Sequence, residues 1–177
     1  MESAAVRLKR DGVNGAGVSA LMADAGLTNG AFYAHFASKD DLVAAVIVEQ
    51  MRGEKDRFSL DPEDDAGLER VIRAYLSSRH RDDRGHGCPS AALVEDIVRA
   101  PEATKNAYTE GLTESLEGLA ARFSSDGPDA ARVRAIGVFS VLVGALQTSR
   151  ALSDPALSDA VLEQGVQNAL RLARRDR

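Results

Sequence analysis

Several things are scarce in this chain of 177 residues, and each absence narrows what it can be. It has one cysteine, Cys88, so no disulfide can form within the chain, and a reducing compartment is its natural setting. It has no tryptophan, and aromatic residues make up only 5%. Sheet sandwiches and barrels lean on aromatic and β-branched residues, so this balance favours packed helices. No apolar stretch approaches the length of a membrane span; the longest lies around Val138–Leu146. Charged Glu2, Arg7, Lys9 and Arg10 interrupt the opening residues, which excludes a secretory signal there. A soluble, cytoplasmic protein is expected. Positive charge is scarce too: 22 Lys and Arg face 27 Asp and Glu, a net charge of −5. Even residues 1–55 hold only six cations against seven carboxylates. Any contact with nucleic acid must therefore depend on where a few cations sit rather than on bulk attraction.

What is present is helical periodicity broken by turn residues, with no sustained alternation of period two. A first helix over residues 2–10 ends at Asp11-Gly12, and a second covers Val18–Ala25, with Val18, Leu21, Met22 and Ala25 on one face. Gly26 stops it, Leu27 follows as a buried plug, and Thr28 caps a third helix over Asn29–Phe36. Ser38 caps a long fourth helix reaching about Phe58, with Asp40 and Asp41 in its first turn. Residues 59–66 read as a loop, and helices are expected at about 67–79, 90–100, 102–123, 128–152 and 156–174. The fold class is all-α, with a head at residues 1–45 and a helical body at 46–177.

Two short helices joined by Ala25-Gly26-Leu27-Thr28 have the spacing of a helix-turn-helix. The second would enter the major groove N-terminus first, bringing Thr28, Asn29, Gly30 and Ala31 to bases or phosphates. Phe32 and Phe36 point to the core at i, i+4, leaving Tyr33 and His35 outside, while Lys39 sits beside the next helix start where a phosphate would fit.

The run Leu27-Thr28-Asn29-Gly30-Ala31-Phe32-Tyr33-Ala34-His35-Phe36-Ala37-Ser38-Lys39-Asp40-Asp41-Leu42 closely resembles the signature of TetR/AcrR-family transcriptional regulators. The resemblance covers about the first 55 residues. It implies phosphate contacts at Tyr33, His35 and Lys39 and groove-facing positions at Thr28, Asn29 and Ala31. It also implies an N-terminal three-helix DNA-binding domain and a C-terminal effector-binding and dimerisation domain. The first helix starts closer to Met1 than is usual in the family, and Ala16 stands where many members carry a threonine. Both predict a weaker grip on DNA.

In the body, Gly87-Cys88-Pro89-Ser90-Ala91-Ala92-Leu93 resembles a variant of one family branch that opens the sixth helix. Cys88 could act as a redox sensor, or as a metal ligand with His80 and His86, but the spacing fits no compact zinc motif. A pocket-lining or core cysteine is the plainer reading, and no triad supports catalysis. An apolar effector pocket would draw on Tyr75, Cys88, Leu93, Ile97, Tyr108, Leu112, Phe139, Val143 and Gln147. Few charges fall on these faces, so a small hydrophobic effector is expected, with no cofactor and no metal.

The last two helices carry more apolar surface than one bundle needs. Ile136, Phe139, Val143 and Leu146 form one stripe, and Gly137, Ser140 and Gly144 a second. Leu157, Val161, Leu162, Val166, Ala169 and Leu170 add a third on the final helix. Residues 128–152 and 156–174 would thus pair with a second copy as a four-helix interface. The expected partners are double-stranded operator DNA, a small-molecule effector and a second copy, with no membrane. A helical protein-binding adaptor with a vestigial head is the alternative that the acidic charge favours.

Overall fold

The computed structural model describes residues 1–58, 64–123 and 127–174, and every regular element among them is helical. Ten α-helices follow in order: α1 Glu2–Asp11, α2 Val18–Asp24, α3 Asn29–His35, α4 Lys39–Phe58, α5 Asp65–Tyr75, α6 Ser78–Asp82, α7 Pro89–Val98, α8 Glu102–Ala121, α9 Pro128–Ala151 and α10 Pro155–Ala173. A single 3-10 turn, Arg84–His86, precedes α7. The loop expected at residues 59–66 falls mostly outside the described residues. No described helix is long and apolar enough to cross a membrane.

Local chemistry accounts for the boundaries. Gly12, at φ 77°, ends α1 in a conformation that side chains resist. Pro89, Pro128 and Pro155 open α7, α9 and α10 at first-turn positions, where a missing N–H costs nothing. The Asp154 carboxylate accepts from the backbone N–H of Ala156 at 2.9 Å and Leu157 at 3.3 Å.

One expected helix proves to be two. The segment 67–79 breaks at Leu76-Ser77, where the Ser77 hydroxyl donates to the Ala74 carbonyl at 2.8 Å and accepts from the His80 N–H at 3.2 Å. One side chain thus closes α5 and caps α6.

Contacts group the residues into two units. The first comprises 1–53 and 84–111, the second 54–83 and 112–177, so α4 and α8 each contribute to both. Leu8, Leu21, Phe32, Leu42, Ile47, Met51 and Leu93 are buried in the first. There α1 packs on α2, on the 3-10 turn and on α7. The association of 84–111 with the N-terminal helices is not visible in the sequence pattern. The second unit buries Phe58, Ile72, Tyr75, Leu119, Val138, Leu142 and Leu146, with α9 and α10 forming its most extensive helix pair.

Arg81 and Arg150 brace the second unit from within. The Arg150 guanidinium donates to the carbonyls of His80 at 2.7 Å and Arg81 at 3.1 Å, at the end of α6. The Arg81 guanidinium in turn reaches the Ser158 hydroxyl at 2.9 Å and the Asp159 carboxylate at 2.6 Å. Its bonds to Asp82 and Asp159 hold its pKa above the usual arginine value.

Candidate functional site

The turn between α2 and α3 rests on one glycine. Gly26 sits at φ 67°, and the Leu27 N–H returns to the Met22 carbonyl at 2.9 Å. The Thr28 hydroxyl accepts from the Ala31 N–H at 3.4 Å, which starts α3. Phe32, 1% exposed, is the buried side chain of α3, with Phe36 tilted against its ring at 5.8 Å.

Leu27 is not the buried plug that its position suggests; it is 52% exposed. The left-handed turn at Gly26 sends its side chain outward, and Phe32 already occupies the interior. Leu21 and Met22 are buried as the helical face predicts, but Val18 is only partly covered and Ala25 is open to solvent.

The outcome is a continuous exposed surface. Residues 23–30 are all exposed, and Tyr33, 70% exposed, and His35 extend it along α3. Ala31 is half-buried. The Tyr33 ring stands edge-on to Phe32 at 5.1 Å, so a buried ring steadies an exposed one. The Asn29 amide nitrogen donates to the Ser19 hydroxyl at 3.0 Å, linking the two helices on their outer side. Gly30, with no Cβ, lets another molecule approach the backbone closely. Lys39, half-buried, donates to the Val13 carbonyl, which leaves two of its three N–H groups for other acceptors. Ala16, standing where many members of the resembled family carry threonine, is fully buried.

Charge around this surface is largely committed elsewhere. Arg7 is bonded to Asp24 and to Asp11, the latter at 3.2 Å, and Arg10 pairs with Asp11 at 2.7 Å. These bonds hold the Asp24 carboxyl, beside Arg7, and the Asp11 carboxyl, beside Arg10, below the usual carboxylate range. Lys9 is buried and donates to Gln50 and to the Gly87 carbonyl. The exposed face therefore offers hydroxyls, amides and backbone N–H groups with few free cations, chemistry suited to phosphate and base-edge hydrogen bonding.

The residues expected to meet an effector divide between the units. Cys88, Leu93, Ile97 and Tyr108 lie in the first, and Tyr75, Leu112, Phe139, Val143 and Gln147 in the second. Cys88 is fully buried at the start of α7, and the Tyr108 hydroxyl donates to the Ser90 hydroxyl at 3.0 Å. Tyr75 and Phe139 flank Phe58, with ring centroids 6.3 and 6.2 Å from it. Leu112, Val143 and Gln147 are half-buried. His80 belongs to the second unit, where its ring faces the Tyr75 carbonyl at 2.7 Å, whereas Cys88 and His86 belong to the first. No group of three or more metal-ligating side chains occurs among the described residues. A cleft of about 260 Å³ in the second unit is lined by Arg81, Asp82, Ser149, Arg150, Leu152, Pro155 and Ser158 and includes none of the effector candidates. Its guanidinium groups already serve the joint between α6, α9 and α10.

The expected stripes on the last two helices also divide. Phe139 and Leu146 on α9, and Leu162, Val166 and Ala169 on α10, are buried within their own unit. Val133, Ile136, Ser140 and Gly144 on α9 and Leu157 on α10 remain exposed.

Residues 1–46 match the bacterial regulatory proteins of the tetR family. The whole chain shares its fold with solved structures that include regulators of that family. Escherichia coli NemR in its reduced form superposes with a TM-score of 0.71 at 16% identity, covering 95% of this chain and 94% of that one. The regulator FadR from Bacillus subtilis, solved in complex with stearoyl-CoA, gives 0.62 at 19% identity over 94% and 96%. The TetR-family regulator PfmR from Thermus thermophilus gives 0.62 at 19% over 98% of each. No curated protein matches the chain in sequence.

Proposed function

We propose that this chain, whose residues 1–46 match the tetR family of bacterial regulatory proteins, is a ligand-responsive transcriptional repressor. Residues 1–45 bind a palindromic operator in double-stranded DNA, and residues 46–177 hold a small hydrophobic effector and join two copies. The observation that carries this reading is the exposed surface of residues 23–30 continued by Tyr33 and His35, mounted on the buried ring of Phe32. Thr28, Asn29, Gly30 and Ala31 face the groove, while Tyr33, His35 and Lys39 contact phosphates.

A single short helix reads only a few base pairs, so two copies reading a two-fold site supply the affinity. The exposed apolar and small side chains of α9 and α10 support pairing there. Release follows from geometry: half-site spacing is set by the DNA turn, and an effector that favours another head separation removes simultaneous docking. The stearoyl-CoA held by Bacillus subtilis FadR supports a body that accepts a small molecule, and it supplies a first probe.

The test is fluorescence polarisation with the DNA upstream of the chain's own gene. Saturable binding that tightens as salt is lowered and weakens on addition of an effector supports the repressor. Absence of any preferred site over random DNA, or an effector that leaves affinity unchanged, overturns it.

A further inference from the structure

Glu54 lies near the C-terminal end of α4, in the second unit, and is only 2% exposed. Its Oε1 meets the Arg57 guanidinium at 3.4 Å, one helical turn on. Its Oε2 is buried and meets no hydrogen-bond donor among the described residues. A carboxylate removed from water is ordinarily matched on both oxygens, because an unmatched one forfeits its hydration for nothing.

The surroundings bear on what would match it. Phe58 stands four residues after Glu54, on the same face of α4. Tyr75 and Phe139, two of the residues that the sequence marks as effector contacts, both pack against Phe58. Arg57, which pairs with Glu54, also lies 5.8 Å from the centre of the Tyr75 ring, so the charge of Glu54 is already balanced. What is missing is a hydrogen-bond donor, not a counter-ion.

We infer that Glu54 is the polar anchor of the effector site. It receives one hydroxyl or amine from a molecule whose remaining surface is apolar and packs near Phe58, Tyr75 and Phe139. This rests on the second unit being the effector body, and it replaces a purely hydrophobic ligand by one with a single donor. A buried group left unmatched until its ligand arrives also gives selectivity, since an analogue without the donor leaves the carboxylate oxygen stranded.

The test uses the full chain and four probes that share one body: 4-phenylbutanol, 4-phenylbutylamine, 4-phenylbutyrate and butylbenzene. In thermal melts the alcohol and the amine raise Tm, whereas the hydrocarbon and the carboxylate leave it unchanged. Glu54→Gln keeps the acceptor without the charge, so it retains the response to the alcohol and loses part of that to the amine. Glu54→Leu abolishes the distinction among probes, and without any probe it melts above the wild type, because Arg57 is partly solvated and is not stranded. Equal shifts with butylbenzene and the alcohol overturn the role of Glu54 while leaving the second unit an effector body. No shift with any of the four removes both, and a probe-free Glu54→Leu that melts below the wild type shows a carboxylate matched within the chain and overturns the inference.

Discussion

The ammonium of Lys9 donates to the carbonyl of Gly87 at 3.0 Å, across 78 residues of chain. A second N–H reaches the side-chain oxygen of Gln50 at 2.6 Å, so one buried cation fastens α1 to α4 and to the loop that opens α7. Replacing Lys9 by methionine keeps the stem and strands both acceptors. A loss of about 2 kcal/mol in urea unfolding is expected. A loss below about 0.5 kcal/mol would mean that water takes over the bonds.

Acid acts on the same unit through a different pair. Arg7 bonds to Asp24 and depresses its pKa in the folded state, and Asp11 is depressed by Arg10. A carboxylate with a depressed folded pKa stabilises above its unfolded value and loses that contribution as pH falls through the folded one. The tie between α1 and α2 therefore weakens below about pH 4, the ordinary carboxylate range. Melts between pH 3 and pH 7 should show a steeper acid decline for the wild type than for Asp24→Asn. Parallel curves would place the acid sensitivity elsewhere.

On the outer face, Tyr33→Ala should lower operator affinity about tenfold with little change in Tm, because the ring is 70% exposed. Lys39→Ala should lower affinity similarly and also reduce the slope of log affinity against log salt by about 2, one for each half-site. It alone should cost some stability as well, since Lys39 also holds the Val13 carbonyl. Polarisation titrations from 50 to 300 mM salt, paired with melts, check both; affinity that survives Tyr33→Ala would remove α3 from the interface.

Ile136, 43% exposed on α9, tests the pairing of two copies. Glutamate there meets solvent in a lone chain but opposes its own copy across a two-fold axis. Light scattering should report a monomer with near wild-type Tm, and operator binding should fall about a hundredfold as linked docking is lost. A dimer that persists would locate the interface away from this face.

What was legible in the sequence was local grammar. The Thr28 and Ser38 caps, the stop at Gly26 and the i, i+4 pair Phe32 and Phe36 act within a few residues, and each is present as the pattern implies. What depends on distant neighbours was not. Leu27 is as apolar as any core residue, and only the backbone direction at Gly26 turns it outward. Lys9 and Glu54 resemble solvated charges, yet both are buried by segments that arrive from elsewhere in the fold. The break at Leu76-Ser77 needed a serine hydroxyl serving two helices at once, which periodicity does not register. The effector candidates share a mostly apolar character that reads as one pocket, but packing assigns them to two units.

The separation of Phe32 from the surface it supports has an evolutionary consequence. The exposed side chains of Ala23, Ala25, Leu27, Tyr33 and His35 form no cap, turn bond or ion pair among the described residues, so they can change while the ring beneath stays fixed. Substitutions there escape the stability threshold that constrains most positions. On the proposed reading of this face as the DNA surface, new target sites are reachable one residue at a time, each intermediate a folded protein.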